Sequence, residues 1–204
     1  MTVPALLLAS RSPRRAEYLR LLGVDFAIVD VDVDETPHAH EAPRDYVERL
    51  ARAKAAAGRA RGGGGCPVLA ADTTVVCGGV ILGKPADAAD ARRILGQLSG
   101  RWHTVLTAVA LAAGTVRGRC VETAVLFRPL TPGEIDRYWA SGEPADKAGA
   151  YGIQGLGGAF VSRIDGSHSN VVGLPLAETL ELLNEFAIPH ALGPPAGDAG
   201  GRGE

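Results

Sequence analysis

Asp72 follows the run Val68-Leu69-Ala70-Ala71 without a break. Aspartate is a poor strand former, so a carboxylate joined directly to four apolar residues marks a place where charge has a use. The expected position is the end of a buried strand, the usual mouth of an α/β site. The plainer alternative is a turn capped through Thr73 and Thr74. A second carboxylate, Glu35, stands in the acidic stretch Asp30–Pro37 with Asp32 and Asp34. Together Glu35 and Asp72 offer oxygen ligands of the kind that hold a hard cation. A solvated acidic loop is the alternative, and it suits Asp32 better than Glu35.

Cationic groups accompany the acids. The opening Leu6-Leu7-Leu8-Ala9-Ser10-Arg11-Ser12-Pro13-Arg14-Arg15 reads as an apolar strand, a serine turn and a helix started by proline. A helix N-terminus favours anions, and arginine adds bidentate recognition of phosphate. Arginines in a first turn oppose the helix dipole, so Arg14 and Arg15 imply an anion between them; two solvated surface arginines are the alternative. Lys54 falls on the apolar stripe of a helix with Val47, Leu50 and Ala51. There it either snorkels to the surface or meets a phosphate across a cleft. Lys84 sits in Gly83-Lys84-Pro85, a weak signal alone. Gln154 lies in the glycine-rich stretch Ala148–Gly158 and can read a base edge with donor and acceptor together. That stretch is neither a Walker A loop nor a dinucleotide-binding fingerprint. The five histidines show no metal-ligand spacing. Carboxylates, lysines, a phosphate turn and an amide form the inventory for metal-assisted attack on a nucleoside triphosphate.

The elements that must position these groups alternate between strand and helix, which argues for α/β architecture. Strands are expected at Pro4–Ala9, Phe26–Val31, Val68–Ala71, His103–Ala112, Arg119–Phe127 and Phe160–Ile164. A hairpin is expected over Val75–Leu82, turning at Gly78-Gly79. Helices are expected from Ser12, as N-cap, to Leu22, over Pro43–Arg61 and Asp87–Leu98, from the Thr131–Glu134 capping box to Ala140, and over Leu174–Phe186. Gly62–Gly65 reads as a flexible break.

The chain has 204 residues, of which 46% are hydrophobic and 22% charged, enough apolar material for one sizeable domain. Residues 1–192 are assigned to that domain and 193–204 to a disordered tail. The net charge of −2 argues against a nucleic-acid surface, so phosphate binding must be local. Three scattered cysteines form no disulfide framework or metal motif and fit a reducing cytoplasm. No signal peptide or membrane span is read.

The chain resembles the Maf family of nucleotide pyrophosphatases over about residues 5–188. The resemblance is carried by Ala9–Arg15, Asp34-Glu35, Ala51–Ala55, Ala70–Thr73, Gly83–Pro85, Leu98–Gly100, Asp146–Gly155 and Asn170–Pro175. It implies a two-lobed fold of the inosine-triphosphatase type, with an elongated mixed sheet, flanking helices and a cleft between lobes. It implies hydrolysis of a triphosphate at the α–β bond with a divalent cation, Mg or Mn. The family's catalytic carboxylate maps onto Asp72, and its other polar positions onto Ser10, Arg15, Glu35, Lys54 and Lys84. Arg14, Thr73 and Gln154 match the branch acting on dTTP and UTP, where the 7-methyl-GTP branch carries Trp, Gln and Glu. Arg11 stands where small residues are common in the family. Modified pyrimidine nucleotides are further expected substrates, and a homodimer is one option for the assembly. The competing readings are a non-catalytic nucleotide sensor in cell division and a purine triphosphatase of the inosine-triphosphate type.

Overall fold

The structure is a computed structural model describing residues 4–62 and 65–193. The expected tail and the Gly63-Gly64 part of the expected break lie outside the described residues. The chain opens with β1 (Leu6–Leu8), α1 (Pro13–Leu21), β2 (Phe26–Ile28) and α2 (Pro43–Arg61). There follow β3 (Val68–Cys77), β4 (Val80–Leu82), α3 (Ala88–Leu98) and the long pair β5 (Trp102–Ala113) and β6 (Thr115–Phe127). After α4 (Pro132–Ala140) and three 3-10 turns come β7 (Val161–Asp165), α5 (His168–Val172) and α6 (Leu176–Glu185).

The helix starts follow local chemistry. Proline occupies the first turn of α1, α2 and α4, where its missing N–H costs nothing. The capping box closes on both sides at α4: Thr131 Oγ1 accepts from Glu134 N–H at 3.3 Å, and Glu134 accepts from Thr131 N–H at 2.9 Å. Asp87 caps α3 by accepting from Asp90 N–H at 2.8 Å.

Seven strands form one mixed sheet in the order β2-β1-β3-β5-β6-β7, with β4 added to the outer half of β3. β1 runs parallel to β2 and β3; the other pairings are antiparallel. β1 reaches β3 only as far as Leu69, and β4 joins it only from Val75. Between them Ala70–Thr74 keep β5 on one edge and have no strand on the other among the described residues. The sheet therefore has a notch.

Three buried clusters flank it. Leu6, Leu8, Leu69, Ala71 and Leu111 pack under α1 and α6. On the opposite face Val68, Ala70, Ala108 and Ala110 pack under Val47, Ala51 and Ala55 of α2. Beyond the notch, Val75, Val125 and Phe127 pack with α3 and α4. The first two clusters make one lobe and the third makes the other, giving the two-lobed mixed α/β fold.

Four expectations need correcting. β3 runs unbroken from Val68 to Cys77, so Asp72 lies inside a strand and not at its end; the ladder with β5 continues from Val68 to Val76 and holds it straight. The second strand stops at Ile28, where its pairing with β1 ends. The expected Leu174–Phe186 helix starts at Leu176 behind Pro175, and α5 precedes it unannounced. Ser12 has extended backbone but makes no side-chain cap.

Candidate active site

The notch opens into a cleft of about 690 Å³, and all nine residues singled out from the sequence line it: Ser10, Arg14, Arg15, Glu35, Lys54, Asp72, Thr73, Lys84 and Gln154. Successive strand residues point to opposite faces. Asp72 shares a face with Val68 and Ala70, toward α2; Thr73 shares the other with Leu69 and Ala71, toward α1. Both reach one cleft because the neighbouring strand is missing there.

Lys54 projects from α2 onto Asp72. Its Nζ donates to Asp72 Oδ1 at 2.6 Å and lies 2.6 Å from Glu35 Oε1. Opposite Asp72 on β5 stands Ala108, which leaves the carboxylate room. Asp72 is 8% exposed, whereas the Glu35 side chain is half exposed. Burial pushes the Asp72 carboxyl above its ordinary value, against the pull of Lys54 and Arg15, and the charge of Glu35 adds to the rise. Glu35 goes the other way: burial opposes the shift, but the Lys54 hydrogen bond and charge outweigh it and lower the value. Two carboxylates sharing one ammonium are thus pushed apart in acidity, the pattern that separates a base from a permanently ionised partner.

The loop carrying Glu35 is built rather than loose. Tyr46 Oη donates to Glu35 O at 3.0 Å, and Arg49 donates to Thr36 O at 3.2 Å while pairing with both oxygens of Glu41. Arg61 donates to Asp30 O at 2.6 Å. No group of three or more His, Cys, Asp or Glu side chains is placed to share a metal ion among the described residues. A carboxylate pair facing an open cleft fits Mg or Mn, which take their remaining oxygens from phosphate and water.

Arg15 acts as a strut across the notch. It donates to Gly173 O at 2.8 Å, Ala71 O at 2.7 Å, Ser10 Oγ at 3.1 Å and Thr73 Oγ1 at 3.1 Å. The Ala71 carbonyl is one of the edge groups that the absent strand would have satisfied. Ser10 Oγ also accepts from Ser12 N–H at 3.2 Å, closing the turn before α1.

The far wall is the glycine-rich loop. Glu143 organises it by accepting from Tyr138 Oη at 2.8 Å, Leu156 N–H at 2.8 Å and Gly157 N–H at 3.1 Å. Gly149 has φ +70°, and a Cβ there would lie 2.8 Å from Val75, so only glycine fits. Its N–H donates to Gly83 O at 3.0 Å, which ties this loop to the Gly83-Lys84-Pro85 segment. Gln154 is exposed on the rim.

Residue-by-residue reading of the sequence missed Tyr46 and Lys147. Tyr46 sits eight residues before Lys54 on α2 and lines the cleft with it; helical spacing was the available signal. Lys147, also on the lining, donates to Glu143 O and Asp146 Oδ1, each at 2.6 Å. Nothing in its neighbours' types announces that geometry.

Comparison with known proteins identifies the family. A family model described as Maf-like protein matches residues 5–186. A Hahella chejuensis protein named dTTP/UTP pyrophosphatase is 58% identical over 188 residues, covering 90% of this chain and 92% of its own. A protein of the same name from Shewanella sp. strain MR-7 is 57% identical over 191 residues, covering 90% and 98%. The structure of the Staphylococcus aureus Ham1 protein superposes with a TM-score of 0.51 at 13% identity, over 89% of this chain and 97% of that one. That likeness concerns the fold alone. With the family model spanning nearly all of the folded chain and relatives well above half identity across it, the chain belongs to the Maf family.

Proposed function

We propose that the chain hydrolyses pyrimidine nucleoside triphosphates, dTTP, UTP and modified forms of them, between the α- and β-phosphates to give monophosphate and pyrophosphate. The observation that carries this reading is Asp72: a buried carboxylate at a notch in the sheet, sharing Lys54 with Glu35 in a cleft rich in cations. The names of the close relatives support the substrate class.

Glu35 and Asp72 are the residues that would hold Mg or Mn, whose bound charge would polarise the phosphate and acidify water. Asp72 takes the proton of the water attacking the α-phosphorus. Its raised pKa makes it a stronger base than an ordinary aspartate. Lys54 reaches both carboxylates and the cleft, so it can pass hydrogen bonds from carboxylate to phosphate oxygen. Ser10 and Lys84 add a hydroxyl and a second ammonium. Arg15 contributes charge more than hydrogen bonds, since four of its N–H contacts go to the protein. Fixed charges of this kind supply most of the barrier lowering in phosphoryl chemistry. Arg14, Thr73 and Gln154 face the base and set the pyrimidine preference. The reading places the enzyme in a reducing cytoplasm, where its three free thiols persist.

The test is product analysis with dTTP and UTP, before and after chelation and with Mg or Mn restored. Pyrophosphate and monophosphate, formed only with the cation, are the expected result. Orthophosphate as the first product would place attack at the γ-phosphorus, and binding without turnover would favour a nucleotide sensor. A preference for inosine triphosphate would move the chain to the purine reading.

A further inference from the structure

Behind the cleft, hydrogen bonds through two buried residues, Thr107 and Asn170, set the direction of one proton. Thr107 Oγ1 donates to Asn170 O at 2.8 Å, and a carbonyl can only accept, so the Thr107 hydrogen is committed. Thr107 Oγ1 stands 3.0 Å from Thr73 Oγ1, its direct cross-strand partner. With its own proton spent, Thr107 can only accept from Thr73. Arg15, which has no acceptor, donates to Thr73 Oγ1 at 3.1 Å. The Thr73 hydroxyl therefore accepts from Arg15, donates to Thr107 and keeps one lone pair. Turning its proton elsewhere would leave two oxygens facing each other at 3.0 Å with no hydrogen between them. Thr107 is fully buried, so water cannot repair that.

The anchor of this chain is rigid. Asn170, fully buried on α5, donates through Nδ2 to Val105 O at 3.0 Å and to Thr123 Oγ1 at 2.9 Å. The Val105 carbonyl settles which end of the amide is nitrogen. Gly173 closes α5 with φ +114°, so close to the cleft that a Cβ would lie 3.2 Å from Thr73 Oγ1.

We propose that Thr107, held by Asn170, is a specificity-positioning residue that fixes the cleft residue Thr73 as a hydrogen-bond acceptor toward the base. An acceptor pairs with the N3–H of uracil and thymine. It meets the unprotonated N3 of cytosine with a second lone pair. The enzyme thus selects imide pyrimidines over cytosine through a proton direction set one strand away. This rests on the reading above that Thr73 faces the base.

The experiment measures kcat/KM for UTP and CTP in the unaltered enzyme, Thr107→Val, Thr107→Ser and Thr73→Val. Thr107→Val removes the hydroxyl at nearly constant shape and frees the Thr73 proton to turn toward the base. The UTP:CTP preference is expected to shrink by about tenfold, the size of one hydrogen-bond mismatch. Thr107→Ser keeps the hydroxyl and is expected to keep the preference. A purely structural role would lower both nucleotides together and leave the ratio alone, which overturns the proposal. If Thr73→Val changes the ratio and Thr107→Val does not, the relay fails while the base reading stands. If neither changes it, or the unaltered enzyme shows no preference, the base reading fails and takes the relay with it. Thr107→Ala, less crowded, makes the same measurement if the valine variant does not fold.

Discussion

Burial and charge are in conflict at Asp72. Its carboxyl is more easily protonated in the folded protein than in the unfolded chain, because burial outweighs Lys54 and Arg15. By linkage, ionised Asp72 lowers stability above its folded pKa, and falling pH through that value recovers the loss. Glu35 has the opposite sign: its lowered pKa contributes stability above its unfolded value, lost as pH falls. Asp72→Asn removes the buried charge while Lys54 keeps Glu35. We expect kcat to fall about 10³-fold, the scale of a lost general base, and the melting temperature at neutral pH to rise. Turnover within tenfold of the unaltered enzyme would remove Asp72 from the chemistry, and a lower melting temperature would show that Lys54 outweighs burial. In the cation-free protein the Asp72 carboxyl is expected to titrate above the ordinary aspartate range. Asp72 and Lys54 were legible in the sequence because each is a charge in an apolar pattern. Thr107 and Asn170 were not: their meaning lies in partners 34 and 63 residues away along the chain.

Among the elements, those with strong local chemistry were readable. Proline at the first helical position and the Thr131–Glu134 box mark α2 and α4 unambiguously. The helix α5 was not legible. It has five residues, and its Ser167 cap and the nearby Pro175 read equally well as a loop. The two halves of β3 looked separate because Asp72 and two threonines interrupt the apolar run; cross-strand pairing with β5 overrides that local weakness. The glycine-rich loop looked flexible by composition, yet Glu143 fastens it with two hydrogen bonds, to Leu156 N–H and Gly157 N–H, while a third ties Glu143 to Tyr138 of α4. Burial opposes ionisation of Glu143, but the N–H groups of Gly157 and Leu156 and the Tyr138 hydroxyl win and lower its pKa. Glu143→Ala should strand these donors at a cost of about 2 kcal/mol. For a chain of this length that is a fall in melting temperature of about 4–8 °C. Because Gln154 and Lys147 ride on the same segment, KM for dTTP should rise more than kcat falls. Thermal melts together with steady-state kinetics check both; an unchanged KM would separate this loop from substrate binding.

At the scale of the molecule, the notch allows one strand to serve both faces of the sheet and gathers charge at one place. Six cationic side chains line the cleft, Arg11, Arg14, Arg15, Lys54, Lys84 and Lys147, against four acidic ones, Asp30, Glu35, Asp72 and Asp146. The cleft is thus positive within a chain of net charge −2, so the remaining surface is acidic. Low-dielectric walls focus such a field and draw in anions, while the acidic exterior discourages binding elsewhere. Screening acts on this long-range attraction and hardly on contacts inside the cleft. The Debye length shortens from about 30 Å at 0.01 M salt to about 8 Å at 0.15 M, less than the reach of the field across a domain of this size. We therefore expect kcat/KM for dTTP to fall about three- to tenfold across that range at fixed divalent cation. Saturating kcat should change less than twofold, because the bound triphosphate already touches its partners. Lys84→Gln, which removes one exposed cleft charge, should flatten the salt dependence as well as lower kcat/KM. Steady-state kinetics at a series of KCl concentrations tests this. A salt-independent kcat/KM would mean that the positive cleft holds the triphosphate without steering it.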